Sequence, residues 1–310
     1  AAIDQWKLSP IVGAGSGTYQ FYGRQFRDPS MQGDPSFVHN DYLHLLAEYG
    51  LLGGVAFLIF LGAHLRQGWL AFVSLGPKRI AAGSYLVSDR FALTLGALCA
   101  VAACAVHSAF DFNLHIPANA LVVAAVFGLL ANPGTKEITT RTAAKPNRAL
   151  KIILAALSLL LLVQCARLLP GEYYANEAQI SLRDEDPRGA AYFADQALRF
   201  EHANPNIYFL RGRALVALAY AEDREPERLS YFERALAAFD RARQLAPLDG
   251  AYPMEMAFLL DDMGRFEEAE WMHGLARARD PRSEQVEHMY QNHLRAWRDS
   301  GTAVTVPKGR

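Results

Sequence analysis

Apolar residues in the first 170 positions of this chain concentrate in four segments. These are Leu51 to about Leu65, Phe91–Phe110, Ile116–Leu130 and Leu150–Leu169. A membrane-spanning helix needs about 20 apolar residues to cross about 30 Å of hydrocarbon. The second and fourth segments reach that length, whereas the first and third are short and need their flanking residues. The pattern predicts four membrane-crossing helices, with buried helices of a large soluble protein as the alternative.

The charges between these segments predict their orientation. The connection between the first and second carries Arg66, Lys78, Arg79 and Arg90, and that between the third and fourth carries Lys136, Arg141, Lys145 and Arg148. The connection between the second and third carries Asp111 and no Lys or Arg. Positively charged loops stay in the cytoplasm. Residues 1–50, the 107–116 turn and everything after 170 are therefore predicted on the opposite side.

After Gly171 the pattern becomes helical with a period of 34 residues. Three positions recur at this spacing, namely Ala235, Ala242 and Pro247 as Ala269, Ala276 and Pro281. Small Ala residues let paired helices approach, and Pro ends the second helix of a pair. Phe239 supplies an aromatic packing position, which His273 occupies in the next copy. We predict tetratricopeptide-like repeats, with an earlier copy ending near Pro205 and an insertion at residues 221–228.

Such arrays present a concave face to peptides or partner proteins, and their repeats need neighbours to bury their faces. A protein partner bound through the repeats is therefore one expectation. A helical stabilising appendage without a ligand is the other.

Composition changes near Pro170, which we take as a domain boundary. Residues 1–170 hold 13 Lys+Arg and 8 Asp+Glu, whereas residues 171–310 hold 18 and 24, a net charge of −6. The whole chain has a net charge of −1 and no basic stripe. This argues against nucleic acid as a partner. The opening AAIDQWKLSP reads as the interior of a longer protein.

The three cysteines, Cys99, Cys104 and Cys165, lie inside apolar stretches. Buried cysteine behaves as a small hydrophobic residue. Neither a disulfide framework nor a CxxC metal site is predicted.

His39 is the first candidate for chemistry. It precedes a predicted helix start, where Asn40 or Asp41 would be the N-cap. An accessible imidazole titrates near neutral pH and suits a general base. The alternative is a polar interfacial turn with incidental histidines.

A second polar cluster runs from His107 to His115. A continuous helix would place His107, Asp111 and His115 on one face, as in a metal site. Asn113 and Pro117 argue against an unbroken helix, and carboxylate–imidazole pairs often only satisfy each other. No metal is predicted.

The third feature is the glycine-rich segment at residues 10–21. No Lys-Ser/Thr pair follows it, so it is a poor nucleotide fingerprint and a better glycine-permitted turn. Arg24 and Arg27 come next, on the same predicted side as His39. Their guanidinium groups would bind a phosphate or pyrophosphate bidentately, or contact lipid headgroups.

Taken in order, these segments resemble the O-antigen ligase and polymerase superfamily. The segments are SPIVGAGSGTY, VHNDYLHLLAEYGLLGG and HSAFDFNLHIPANA, and the resemblance covers residues 1–132. The string H-N-x-x-L leading into E-x-G-L-L-G is the most specific. The match covers the C-terminal portion of that family's membrane domain, and members typically have ten or more spans.

The resemblance implies an all-α chain: a polytopic, glycosyltransferase C-like membrane domain, truncated at its N-terminus, then the tetratricopeptide-like repeats. Residues 1–50 would end a large periplasmic loop, and residues 51–170 would form four membrane helices. Residues 171–300 would form a periplasmic repeat domain, and residues 301–310 a disordered tail. The location implied is a bacterial inner membrane, crossed several times.

The implied activity is transfer of a glycan from an undecaprenyl-pyrophosphate carrier to an acceptor hydroxyl at the periplasmic face, with no cofactor and no metal. His39 matches the family's catalytic histidine, and Asp111 the acidic position that would orient His39 or the acceptor. Substrate-binding positions are expected at Asn40, His107, Arg24 and Arg27. A further pyrophosphate-binding arginine should precede residue 1, so the fragment alone should not catalyse.

Ligation to lipid A core, polysaccharide polymerisation and protein O-glycosylation share these motifs, so a glycan, lipid or protein acceptor stays open. The fused repeats favour, by analogy, a polymerase or a partner-docked enzyme. A non-catalytic envelope scaffold whose repeats recruit polysaccharide assembly proteins is the alternative from another class. A transporter is a third, weakened by the lack of a broken-helix motif in the spans.

Overall fold

The computed structural model describes residues 1–33, 36–76, 78–79, 85–86, 88–132 and 148–301. At 78–79, 85–86, 148 and 150–151 the description is of the backbone only. Of the predicted tail at 301–310, only Gly301 is among these residues. The described residues are all-α apart from one pair of two-residue strands. The chain divides into two compact units, 1–27 with 33–145 and 28–32 with 146–310.

Five α-helices form the first unit in its described part. They are α1 (Ala2–Leu8), α2 (Tyr19–Gln25), α3 (Asp41–Ser74), α4 (Asp89–His107) and α5 (Pro117–Ala131), with a 3-10 helix at Asn113–His115. Between α3 and α4, the two-residue strands β1 (Lys78–Arg79) and β2 (Tyr85–Leu86) pair antiparallel, Lys78 with Leu86 and Arg79 with Tyr85.

Helices α3, α4 and α5 pack against one another around a small apolar core. Ala97, Val101 and Leu130 are buried at its centre. Gly68 lets the helices approach, since a Cβ there would lie 2.6 Å from Leu130 Cδ2. The outward faces keep large apolar side chains such as Ile59 exposed. Apolar surface on this scale needs a non-aqueous neighbour.

Three helices in the described residues are long and apolar enough to cross a membrane: α3, α4 and the segment Ile152–Arg183 of α6 (Arg148–Arg183). The third predicted segment forms α5, whose 15 residues extend about 22 Å. Helix α3 extends nine residues beyond the predicted end at Leu65, so Arg66 lies inside the helix rather than in a loop.

The predicted boundary at Pro170 falls inside α6. The helix continues from Arg148 to Arg183 with Pro170 in its interior, so composition changes within one helix. Free Cys99 and Cys165 are exposed on apolar helices, and Cys104 is half-buried. All three therefore lie in apolar helices, as their sequence context predicted.

Six further helices form the repeat unit together with α6. They are α7 (Pro187–Leu198), α8 (Pro205–Tyr220), α9 (Glu225–Leu245), α10 (Ala251–Asp262), α11 (Phe266–Arg279) and α12 (Glu284–Asp299). Each packs against the next along the chain, and α12 also contacts α10. The predicted tetratricopeptide-like arrangement of paired helices is confirmed.

The residues that define the 34-residue period lie where helices meet. Ala235 and Ala242 of α9 are fully buried, as are Ala269 and Ala276 of α11. Both prolines of the period follow directly after the C-caps of these helices. The predicted insertion does not form a long loop, because residues 221–224 are the connection and residues 225–228 the first turn of a longer α9.

Helices α8 and α9 are in close contact at Gly212. A Cβ on Gly212 would lie 2.4 Å from Cε1 of Phe239, the fully buried aromatic of the repeat. Only a residue without a side chain fits between this helix backbone and the ring.

We expect Gly212→Ala to destabilise the repeat unit by about 1–3 kcal/mol, because the Phe239 ring has to move in a packed core. Gly274→Ala is the matched control, since nothing lies within 4 Å of its Cβ position in α11. That change should stabilise by about 0.5–1 kcal/mol through helix propensity. Thermal unfolding followed by circular dichroism measures both, and equal effects would contradict the packing argument.

Candidate functional site

Helix α3 is interrupted at Gly50, which has φ 63° and ψ −164°. A break of this kind leaves backbone groups without helical partners. The glycine-rich segment supplies them, because the carbonyls of Pro10 and Ile11 accept from the amides of Leu51 (2.9 Å) and Leu52 (3.0 Å). The break is therefore held by a second piece of the chain. The expectation that the spans contain no broken helix is wrong for α3, because Gly50 lies inside a helix long and apolar enough to span.

The same segment also bonds to the helix before the break. The amides of Ala14 and Gly15 donate to the carbonyls of Ala47 and Glu48, both at 3.0 Å. At Gly13 (φ 78°) a Cβ would lie 2.2 Å from the Glu48 oxygen. The segment at residues 10–21 is thus a docked turn, in agreement with that interpretation of its glycines.

The start of α3 is joined to the end of α4. Asn40 is the N-cap, as predicted: its Oδ1 accepts from the amide of Leu43 (2.9 Å), while its Nδ2 donates to the carbonyl of Ala109 (2.8 Å). The amide of Asp41 donates to the carbonyl of Ser108 (2.8 Å). These bonds bring the two predicted polar clusters together.

His39 and Asp111 meet at this junction. Nδ1 of His39 lies 3.4 Å from Oδ1 of Asp111, and the side chains are 67% and 40% exposed. The His39 ring also contacts the Phe112 ring edge-on, with centroids 4.9 Å apart. His39 has φ 53°, a left-handed conformation that is uncommon for a residue other than glycine. An exposed imidazole beside a carboxylate can accept a proton from a bound hydroxyl.

The other predicted substrate-binding residues lie at the end of α4, on α2 and just after α2. His107 is the last residue of α4 and its side chain is exposed. Arg24 lies in α2 and is half-buried, and Arg27 is buried. Both arginines already interact with other groups of the chain. Their role as phosphate-binding residues stays a prediction.

The alternative of a metal site on one helix face is wrong for His107, Asp111 and His115. Helix α4 ends at His107, and His115 closes a separate 3-10 helix before Pro117 begins α5. The three side chains therefore do not share a helix face.

Sequence reasoning missed a second imidazole–carboxylate group, next to the first. His115 Nδ1 lies 2.9 Å from Oδ1 of buried Asp41, whose Oδ2 accepts from the amide of Leu114 (3.1 Å). His44 is also buried, and its ring stacks on that of His115 with centroids 4.1 Å apart.

Glu48 completes this group. Its Oε1 lies 3.2 Å from His44 Nε2 and accepts from the amide of Tyr19 at 3.1 Å. Nδ1 of His44 is buried and has no hydrogen-bond partner among the described residues. Burial raises the pKa of the neighbouring Tyr19 hydroxyl above its ordinary value. The spacing of His44 and Glu48, one helical turn, was the available sequence signal.

A pocket of about 450 Å³ opens beside this second group, lined by Asp41, His44, Glu48 and His115 among others. That volume falls within the ordinary range of ligand pockets. Phe37 lines the pocket and stacks on Phe112, with centroids 4.6 Å apart. One pair of aromatic rings therefore separates the exposed His39–Asp111 pair from the pocket.

No family model matches the chain, and no curated protein matches it. Among solved structures the chain is similar to the Arabidopsis OM64 TPR domain, with 14% sequence identity and a TM-score of 0.37. The similarity covers 42% of this chain and 98% of that domain.

We expect Gly13→Ala to release the glycine-rich segment from α3, because its Cβ would overlap the Glu48 carbonyl. Gly17→Ala is the matched control: it has φ 71°, with nothing within 4 Å of its Cβ position. The control should cost only about 1–2 kcal/mol of backbone strain. Limited proteolysis of residues 1–27 should accelerate several-fold more in Gly13→Ala, and similar cleavage rates would contradict this docking.

Proposed function

We propose that this chain is part of a membrane glycosyltransferase of the O-antigen ligase or polysaccharide polymerase type. The enzyme moves a glycan from an undecaprenyl-pyrophosphate carrier to an acceptor hydroxyl. The observation that carries the proposal is the meeting of His39 with Asp111 across 3.4 Å, although 72 residues separate them in the chain. Both residues came from motifs that resemble this family.

The surroundings of the pair support a reaction at a membrane surface. His39 immediately precedes the N-cap of α3, and Asp111 follows the end of α4; both helices are long and apolar enough to span. A lipid-linked donor would present its pyrophosphate at the level of such helix ends. The 450 Å³ pocket lies one aromatic layer away and offers room for a sugar ring.

In the proposed reaction His39 accepts the proton of the acceptor hydroxyl. The acceptor oxygen forms a bond to the anomeric carbon, and the bond from that carbon to the carrier's phosphate oxygen breaks. The undecaprenyl pyrophosphate leaves with the bonding electron pair. Asp111 orients the imidazole and stabilises its protonated form. The acceptor, whether glycan, lipid or protein, is not determined by these groups.

The location belongs to the same proposal. In this proposal His39, Asp111 and the repeat unit face the periplasm of a bacterial inner membrane, and the basic connections face the cytoplasm. The side assigned to the repeat unit requires α5, the short apolar helix, to cross as a fourth span with its flanking residues. A non-catalytic scaffold would share this topology. Only a measurement of glycan transfer therefore distinguishes the enzyme from the scaffold.

His39→Ala in the full-length protein should lower glycan transfer by about 10²–10⁴-fold, the usual contribution of general-base catalysis. Asp111→Asn keeps the imidazole and should have a smaller effect. The measurement is transfer of labelled glycan in membranes containing equal amounts of each variant.

His288→Ala is the matched control, because this exposed histidine lies on α12 of the repeat unit. It should leave transfer unchanged. Full activity in His39→Ala would remove the catalytic assignment and favour the scaffold.

Topology can be tested with single cysteines in a background where Cys99, Cys104 and Cys165 are replaced by serine. Phe110→Cys and His288→Cys occupy exposed positions after α4 and on α12, and Ser74→Cys ends α3. An impermeant thiol reagent should label the first two in intact spheroplasts and the third only after permeabilisation. Labelling of Ser74→Cys alone from outside would reverse the proposed orientation.

A further inference from the structure

A buried polar cluster lies at the last helices of the repeat unit. It joins Asp261 of α10, His273 of α11 and His293 of α12. His273 Nε2 lies 3.0 Å from Asp261 Oδ2, and His293 Nδ1 lies 2.5 Å from Asp261 Oδ1. Both imidazoles are buried, and their ring centroids are 4.7 Å apart. Three helices thus contribute one ligand-type group each to one point.

The cluster replaces an apolar contact of the repeat. His273 stands 34 residues after Phe239, a fully buried aromatic in the preceding copy. A buried polar side chain is costly unless its hydrogen-bonding groups are satisfied. Here Nδ1 of His273 is buried without a partner among the described residues. Hydrogen bonding within the cluster therefore uses Nε2 of His273 and leaves its other ring nitrogen without a partner among these residues.

Of the two imidazoles, His293 has the outer contacts of a metal-binding histidine. His293 directs Nδ1 toward Asp261 and its other ring nitrogen, Nε2, toward Glu270 Oε2 at 3.1 Å. Glu270 Oε1 accepts from the hydroxyl of Tyr290 at 3.0 Å. A metal-ligating imidazole almost always donates its second N–H to a carboxylate or carbonyl, which fixes the tautomer and the ring orientation.

We propose that this cluster binds a divalent transition-metal ion, Zn²⁺ in the first instance, through His273 Nε2, His293 Nδ1 and the Asp261 carboxylate. Imidazole and carboxylate are ordinary zinc ligands, and three of them leave one position for water. A divalent ion also balances the charges of the two carboxylates when both imidazoles are neutral.

The spacing and access suit such an ion. All three ligand atoms lie within 4.8 Å of one another. Zinc bonds of about 2.0–2.2 Å require ligand atoms about 3.3 Å apart, so a pair of ligand atoms has to close by at most about 1.5 Å, which is less than about 1 Å for each side chain. The side chains of Asp261 and Glu270 keep 14% and 13% of their surface exposed, which gives the ion a path from solvent.

Bound metal would fasten the terminal helix to the array. The largest apolar core of the unit is built from α8 to α11, and its members do not include α12. End helices of repeat arrays need a device that closes the stack. Ligands from α10, α11 and α12 would supply this closure by holding α12 against the two helices before it. This role does not depend on the proposed transferase activity.

The test uses the whole chain in detergent, stripped with chelator and titrated with Co²⁺ and Zn²⁺. Wild type should develop the visible absorption of tetrahedral Co²⁺, lose it when Zn²⁺ is added, and unfold at a higher temperature with Zn²⁺ than with chelator. His273→Phe should lose both effects while keeping the helical core, since Phe occupies the equivalent position 239.

Two variants make the result specific. Glu270→Gln removes the outer carboxylate and should weaken metal affinity by about 10–100-fold. Glu270→Gln also tests the metal site if His273→Phe fails to fold. His288→Gln changes an exposed histidine of the same helix and should bind as wild type. Absence of metal binding in wild type would overturn the proposal. Metal affinity equal to that of wild type in both His273→Phe and Glu270→Gln would also overturn it.

Discussion

The first unit depends on backbone hydrogen bonds between segments that are distant in sequence. Helix α3 is interrupted at Gly50, and the amides and carbonyls on both sides of the break bond to the glycine-rich turn. At its start α3 is tied to Ser108 and Ala109 after α4. Unpaired backbone groups are expensive in apolar surroundings. These bonds therefore hold the glycine-rich turn, the start of α3 and the residues after α4 together. His39, Asp41 and His44 lie at this junction.

Much of this fold could be predicted from periodicity alone. Apolar runs located α3, α4, α5 and α6, and the 34-residue period located the buried alanines of α9 and α11. The ends of the helices were harder to predict, because α3 continues through Arg66 and α6 through Pro170. A proline costs a helix about 3 kcal/mol, but apolar surroundings raise the value of every remaining backbone hydrogen bond. Local sequence does not report that balance.

The candidate site was predictable only in part. Motif order indicated His39 and Asp111, and the N-cap chemistry of Asn40 followed from residue type. The pairing of Asp41 with His115 joins residues 74 positions apart, and no local periodicity encodes such a contact. His44 and Glu48 carried a signal in their one-turn spacing, yet that spacing is equally common on solvated helix faces. Burial, which distinguishes the two cases, is a property of the packed helices.

Each of the two units has histidines at positions where a regular pattern is interrupted. In the repeats, His273 stands where the period requires an aromatic side chain, and His293 lies on the buried face of α12. In the first unit, His39 adopts a left-handed backbone where helix α3 begins. Each position departs from what packing or backbone preference alone would select, and each has a carboxylate within 3.4 Å. Such local costs are often retained where a group has a chemical task, and the two proposals assign one to each of these histidines. Under these proposals, departures from the repeating pattern, rather than the pattern itself, mark the positions that carry chemistry.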